Sequence, residues 1–377
     1  MSDATNEWPQ DPEACALLDT FLPGLRALVG LRGRYLQGEL GPAQSIVQGT
    51  LRPPQEGDLT TIAANAVPEL TSLGAASIRD GRVGLAILNG GMATRFGGVV
   101  KGAVALGGGR SFLGLKLLDA QRTARRLGAR EPLIVLMNSR ATQAATLSHL
   151  AEKAHFGYPP DRILCVEQTW TARLTPEGEL FRDEDGALSL YGMGHGDLGP
   201  VLRASGVLDR FHAEGGDTLL MSNVDNAVAT LDPALLGQHL RGGADVTVEL
   251  VRKWAGDAGG APAWVDGKMQ IVEGFRFPPT FDATTIPVFN TNTFWFRSQA
   301  LAAETPLPFH AVRKEVGGRP VLQFERLVGE VTAHLSAQWL MVSREGADSR
   351  FVPIKSPADL EAARERLLET WAARGLA

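Results

Sequence analysis

Residues 83–102 read Val-Gly-Leu-Ala-Ile-Leu-Asn-Gly-Gly-Met-Ala-Thr-Arg-Phe-Gly-Gly-Val-Val-Lys-Gly. The first six form an unbroken apolar run, as expected of a strand buried on both faces of a sheet. The next fourteen hold five glycines, Gly90, Gly91, Gly97, Gly98 and Gly102, with Thr94, Arg95 and Lys101 among them. A glycine-rich loop leaving a buried strand turns backbone N–H groups toward one point and binds an anion. Arg95 and Lys101 would add charge-assisted contacts to phosphate. The loop is neither a Walker A loop nor a G-x-G-x-x-G dinucleotide fingerprint.

Working outward, a helical pattern at 112–128 ends on Gly128, and a second apolar run follows at 132–137. Further runs lie at 162–166, 218–222, 245–251, 288–296 and 339–343, with helical patterns at 140–153, 200–214 and 233–241 between them. This alternation predicts βαβ units in an α/β fold, a mostly parallel mixed sheet flanked by helices. Ligands then bind beyond the carboxyl ends of the strands. Residues 1–80 read as a helical region. Asp11-Pro12 is a helix start, and a short helix ends near Gly74. Residues 81–310 read as the catalytic domain. Residues 311–377 complete the site and close on an amphipathic helix at 357–374, begun by Ser356, Pro357 and Asp359.

Composition narrows the function classes. The chain has 377 residues, and 37 basic against 42 acidic residues give a net charge of −5. That balance disfavours nucleic acid as a partner. Glycine, 43 residues, is about 11% against a usual share of about 7%. No stretch approaches the roughly 18 apolar residues of a membrane span. The N-terminal segment lacks the pattern of a secretion signal. The two cysteines, Cys15 and Cys165, make no disulfide framework and read as buried small apolar residues. Together these point to a cytoplasmic protein with no membrane partner.

The loop 88–102 resembles the nucleotide-binding loop of the UDP-sugar pyrophosphorylases, the UTP:sugar-1-phosphate uridylyltransferases. The resemblance continues in order. It runs through 192–202 (GMGHGDLGPVL), 222–233 (SNVDNAVATLDP), 268–278 (KMQIVEGFRFP), 288–296 (VFNTNTFWF) and 351–360 (FVPIKSPADL). Met92-Ala93 stand where the family commonly carries Leu-Gly or Gln-Gly, and Val100 stands where it carries Pro. The resemblance implies a nucleotide-diphospho-sugar transferase fold, Rossmann-like. It also implies uridylyl transfer from UTP to a sugar 1-phosphate, with Mg²⁺. Glucose 1-phosphate is the first choice of acceptor and N-acetylglucosamine 1-phosphate the second. A broad-specificity enzyme, a degenerate binding module and a glycosyltransferase of related fold are the rivals.

Roles follow residue by residue from that resemblance. Asn89, Gly90, Gly91, Thr94, Gly194 and Gly196 would hold the nucleotide, and Gln168 would contact uracil, whose edge suits a group that both donates and accepts. Met137, Asn138 and Ser139 would border the base. Arg95, Lys101 and Lys355 would serve catalysis at the phosphates. His195, Glu273, Asn290 and Asn292 would contact the sugar. Asp225 would hold the metal. By residue type alone, Asp225 serves a turn or a divalent ion equally well. By residue type alone Lys355 reads as a solvated lysine, His195 as a loop histidine that is solvated or caps the next helix, and Glu273 as a strand-edge charge.

Overall fold

The computed structural model describes residues 22–107, 109–257 and 259–376, together with 10, 12, 13, 15 and 16. Among the described residues, seven strands make the central sheet. They are β1 (Val83–Leu88), β2 (Leu133–Asn138), β3 (Ile163–Glu167), β4 (Thr218–Asn223), β5 (Val246–Arg252), β6 (Val288–Arg297) and β7 (Ala337–Met341). Their spatial order is β7-β5-β6-β4-β1-β2-β3. Neighbours β4, β1, β2 and β3 are parallel, and β7 is parallel to β5. Strand β6 runs antiparallel between β4 and β5.

Alternation along β1 shows why an all-apolar run is needed. Val83, Leu85 and Ile87 join one core cluster, and Ala86 and Leu88 join the other. The first cluster is completed by α3 (Phe112–Arg126), α7 (Pro233–Gly242) and α8 (Pro357–Ala373). The second is completed by α5 (Leu198–Ala204) and α6 (Val207–Ala213). Each fully buried Leu or Ile contributes ~1.5–3 kcal/mol, so an apolar residue at every position of β1 adds to the core on both faces. Ser111 caps α3 by accepting from Gly114 N at 3.1 Å, and Ser356 caps α8 by accepting from Asp359 N at 3.2 Å.

The N-terminal region contributes α1 (Leu22–Leu36) and α2 (Val67–Arg79). The Asp11 start lies outside the described residues. The short helix does not end near Gly74 but continues to Arg79. A methyl group on Gly74 would overlap the carbonyl of Pro233, and one on Gly237 would overlap that of Leu70. Gly74 is therefore the point where α2 and α7 touch backbone to backbone. The pattern at 200–214 divides into α5 and α6 at Gly206, φ +71°. Cys15 is exposed and Cys165 half-buried, so neither is the buried apolar residue its type suggested. Among the described residues no helix is long and apolar enough to cross a membrane.

A smaller cluster sits beside the sheet. There α1 packs Leu25, Leu28 and Leu31 against Leu174, Leu322 and Phe324. The last two belong to an antiparallel hairpin, His310–Val316 with Arg319–Glu325.

Candidate active site

The chain lays down β1, β2 and β3 in one direction, then returns to place β4 on the other flank of β1. Loops leaving β1 and β4 diverge at this reversal and open a crevice at the carboxyl ends. A cavity of about 250 Å³ lies there. It is lined by Leu88, Gly90, Gly91, Lys101, Met137, Gln168, His195, Asn223, Val224 and Asp225. A larger cavity of about 820 Å³ adjoins it through Gly90 and Gln168.

The glycine-rich loop is a hairpin. Met92 pairs with Val100 and Ala93 with Val99, and Gly97 (φ +82°) and Gly98 (φ +78°) lie in its turn. Those left-handed angles favour glycine. The hairpin brings the chain back on itself, so Lys101 N donates to Gly91 O at 3.3 Å. Lys101 Nζ then donates to Asp225 Oδ2 at 2.7 Å. Asp225 stands just past β4, in a turn begun by Val224 N donating to Leu88 O at 3.1 Å. Thr94 and Arg95 lie on the turn Thr94–Phe96. Arg95 is exposed and does not line the cavity.

Gln168 follows β3, where its N–H donates to Asn138 O at 2.8 Å. A methyl group on Gly192 would overlap its Nε2, and one on Gly90 would come within 3.1 Å. Two glycines therefore flank the Gln168 carboxamide at the junction of the cavities. Met137 borders the smaller cavity, Ser139 the larger one. Asn138 donates to Gln143 Oε1 at 2.6 Å.

His195 stands on the turn His195–Asp197, half-buried. Val328 N donates to His195 Nδ1 at 3.0 Å. Burial lowers the His195 pKa, keeping the ring neutral. With Nδ1 accepting, the proton sits on Nε2, and the ring is a hydrogen-bond donor there. Gly194 (φ +93°) and Gly196 pack on Arg326, whose carbonyl accepts from Gly196 N at 2.9 Å. Asp197, ion-paired with Arg326, accepts from Thr169 N at 2.5 Å and so ties this loop to the residue after Gln168.

The sugar-side candidates lie one strand across. Asn292 has φ +54° inside β6, a conformation asparagine tolerates better than most residues. Its Nδ2 donates to Asn223 Oδ1 at 2.9 Å, and its N–H donates to Asn290 Oδ1 at 3.0 Å. Asn290 N donates to Gly260 O at 3.1 Å, and a methyl on Gly260 would come within 2.7 Å of Glu273 Oε1. Gly260 thus sits between Glu273 and Asn290. Burial, helped by Glu330 and opposed by Arg276, pushes the Glu273 pKa up to about 7. Lys355 is exposed, one residue beyond Ile354, whose N–H donates to Asp225 O at 3.3 Å.

Asn89 has no side-chain donor to spare. It is fully buried, and its Nδ2 donates to Asn138 Oδ1 at 2.7 Å and Thr146 Oγ1 at 2.9 Å. Its N–H donates to Met137 O at 2.8 Å. Asn89 holds β1, β2 and α4 (Arg140–Glu152) together rather than presenting an amide to the cavity. Sequence reasoning also missed Trp170, Arg173, Tyr191 and Lys314 around the larger cavity. Trp170, Tyr191 and Lys314 lie on short strands and Arg173 just past one, with no motif around them.

Among the described residues no three His, Cys, Asp or Glu side chains converge on a metal position. Among the described residues, Asp225 is the one acidic residue lining the smaller cavity. Such a donor set suits an ion that arrives with phosphate oxygens, because Mg²⁺ commonly keeps one or two protein carboxylates and fills its shell with phosphate and water.

In the smaller cavity Lys101 and Asp225 face each other beneath the glycine hairpin. The sequence profile of UTP–glucose-1-phosphate uridylyltransferase matches residues 34–373. The chain belongs to this family. The potato (Solanum tuberosum) protein named UTP–glucose-1-phosphate uridylyltransferase is 27% identical, over 96% of this chain and 78% of that protein. The protein of that name from Saccharomyces cerevisiae is 30% identical, over 72% of this chain. The match spans 57% of that yeast protein's length. Among solved structures, uridine diphosphate N-acetylglucosamine pyrophosphorylase from Trypanosoma brucei superposes with a TM-score of 0.77 at 18% identity. The alignment covers 97% of this chain and 82% of that one. A UDP-glucose pyrophosphorylase variant from Leishmania major, bound to UDP-glucose, gives 0.70 at 24% identity. It covers 96% and 78% of the two chains. These likenesses establish the α/β fold of the family.

Proposed function

We propose that this uridylyltransferase-family protein transfers a uridylyl group from UTP to a sugar 1-phosphate, with glucose 1-phosphate as the favoured acceptor. The observation that carries this reading is the Lys101–Asp225 pair at the reversal of strand order, beneath the glycine hairpin. An oxygen of the sugar phosphate attacks the α-phosphorus of UTP in line. The bond from that phosphorus to the bridging oxygen breaks, and pyrophosphate departs with the electron pair. A phosphate monoester has a second pKa of about 6, so the nucleophile is already ionised at neutral pH and no general base is required. Catalysis then consists of positioning two polyanions and neutralising charge.

Lys101 leaves Asp225 for the UTP phosphates, and the hairpin amides and Arg95 close on them. Gln168 reads uracil. His195 donates from Nε2, and Glu273 and Asn290 orient the sugar. Lys355 steadies the sugar phosphate or the α-phosphate. Asp225 would hold Mg²⁺, which supplies charge neutralisation on the phosphate oxygens. A cytoplasmic setting goes with this reading, since the chain has two cysteines and no disulfide joins them.

Pyrophosphate release with UTP, Mg²⁺ and a panel of sugar 1-phosphates tests the proposal. Release with glucose 1-phosphate above the other sugars supports it, and preference for N-acetylglucosamine 1-phosphate reassigns the acceptor. UTP binding without release by any sugar would make the protein a binding module.

A further inference from the structure

Lys355 lies between β7 and α8 in a segment, 350–355, with no ladder to set its register. Its apolar side chains, Phe351, Val352 and Ile354, are buried and fix how deep the segment sits. Apolar contacts are non-directional, so they do not fix where it stands along its own axis. Directional bonds do: Lys355 N donates to Asp359 Oδ2 at 2.9 Å and Arg366 Nη2 to Phe351 O at 3.4 Å at the helix end, and two more meet on one side chain. Asn226, next to Asp225, is 1% exposed. Its Nδ2 donates to Arg350 O at 3.0 Å and its Oδ1 accepts from Val352 N at 3.2 Å. The same residue bridges Pro353 antiparallel, and Ile354 N reaches Asp225 O.

The base of the segment is anchored as firmly. Arg350, 3% exposed, gives two bonds to the buried Glu249 carboxylate, at 3.0 and 2.7 Å. It gives two more to the carbonyl and hydroxyl of Thr230, both at 2.9 Å. Glu249 in turn accepts from Trp295 Nε1 at 2.9 Å, on the strand that bears Asn290. Anchored at Arg350 and clipped at Asn226, the segment has one register.

We infer that Asn226 is a positioning residue whose buried carboxamide clips the segment 350–355 to the Asp225 turn and so sets where Lys355 stands relative to Asp225. The clip needs a group that donates and accepts at once, at asparagine length. Aspartate keeps the acceptor and loses the donor, and glutamine is one carbon too long. The inference rests on the role proposed for Lys355.

A double-mutant cycle with Asn226→Asp and Lys355→Ala tests it, with amide hydrogen exchange alongside. Asn226→Asp is expected to lower kcat at least tenfold while the KM for UTP stays within threefold. In the Lys355→Ala background the same substitution should lower kcat less than twofold further, because the residue it positions is gone. A purely structural residue would instead lower kcat by the same factor in both backgrounds, and that result overturns the inference. In Asn226→Ala, which loses donor and acceptor alike, the Val352 and Ile354 amides should exchange at least tenfold faster, with those of β5 unchanged. Unchanged exchange at both amides overturns it independently of any activity. If Lys355→Ala alone leaves turnover intact, the role proposed for Lys355 fails, while the exchange result still decides whether Asn226 is the clip. Should Asn226→Asp not fold, Asn226→Ser, which keeps a small acceptor, carries the same cycle.

Discussion

Replacing Lys101 with methionine removes one positive charge and keeps the length of the side chain. The ammonium lies 2.7 Å from Asp225 Oδ2, with side-chain exposures of 30% and 11%. In the resting protein water still reaches the lysine end of this partly buried pair, which contributes on the order of 1 kcal/mol. Its loss should lower Tm by only a few degrees. On the role proposed for Lys101, the same ammonium would face charge developing on the phosphates in the transition state, beneath the hairpin. A unit charge about 4 Å away at an effective dielectric near 20 is worth about 4 kcal/mol. At about 1.36 kcal/mol per factor of ten, kcat should fall by roughly 10³. Steady-state pyrophosphate release, with thermal unfolding run in parallel, measures both quantities. A fall in kcat below tenfold in a protein with unchanged Tm would refute the assignment of Lys101 to the phosphates. A collapse of Tm would refute the reasoning that separates its two roles.

Three other outcomes follow from particular contacts. Gly192→Ala drives a methyl into Gln168 Nε2, so the KM for UTP should rise about tenfold or more with kcat less affected; unchanged selectivity for UTP over CTP would remove Gln168 from uracil recognition. Gly74→Ala forces α2 and α7 apart and should cost about 1–3 kcal/mol in urea unfolding, as overpacked cores do; a cost within experimental error would show that the helices slide freely. Glu273 has its folded pKa raised from 4.5 to about 7, so the native state holds a proton that the unfolded chain releases. The associated stability is fully present below about pH 4.5 and is lost as pH rises through about 7, with an upper bound near 3 kcal/mol. Unfolding measured at pH 5 and pH 8 should show that difference in the natural protein and a smaller one in Glu273→Gln, and equal slopes in both would count against a buried carboxyl.

Much of the architecture is legible in local pattern. VGLAIL announces a strand covered on both faces because every position in it is apolar, and the structure buries all six residues. Five glycines in the fourteen residues after it announce a loop made of backbone, and Ser356 with Pro357 starts a helix where capping chemistry requires one. The motif order carried the family, because each motif is a short local constellation. Local pattern fails where a residue serves a contact across the fold. Gly74 looks like a helix stop, and only its approach to Pro233 shows it to be a helix crossing. Asn89 looks like a loop amide facing ligand, and only the positions of Asn138 and Thr146 show that its donor is spent.

Periodicity reports whether a residue is buried, not which strand lies beside it. The chain's own text therefore determined the α/β class, the glycine-rich loop and the residue types able to bind phosphate. Tertiary structure decided that β4 returns beside β1, that β6 enters antiparallel, and that Lys101 meets Asp225 from 124 positions away. The physical reason is that hydrophobic burial acts position by position, whereas pairing between distant strands is chosen by how whole faces pack. A catalytic distance exists only after that choice is made.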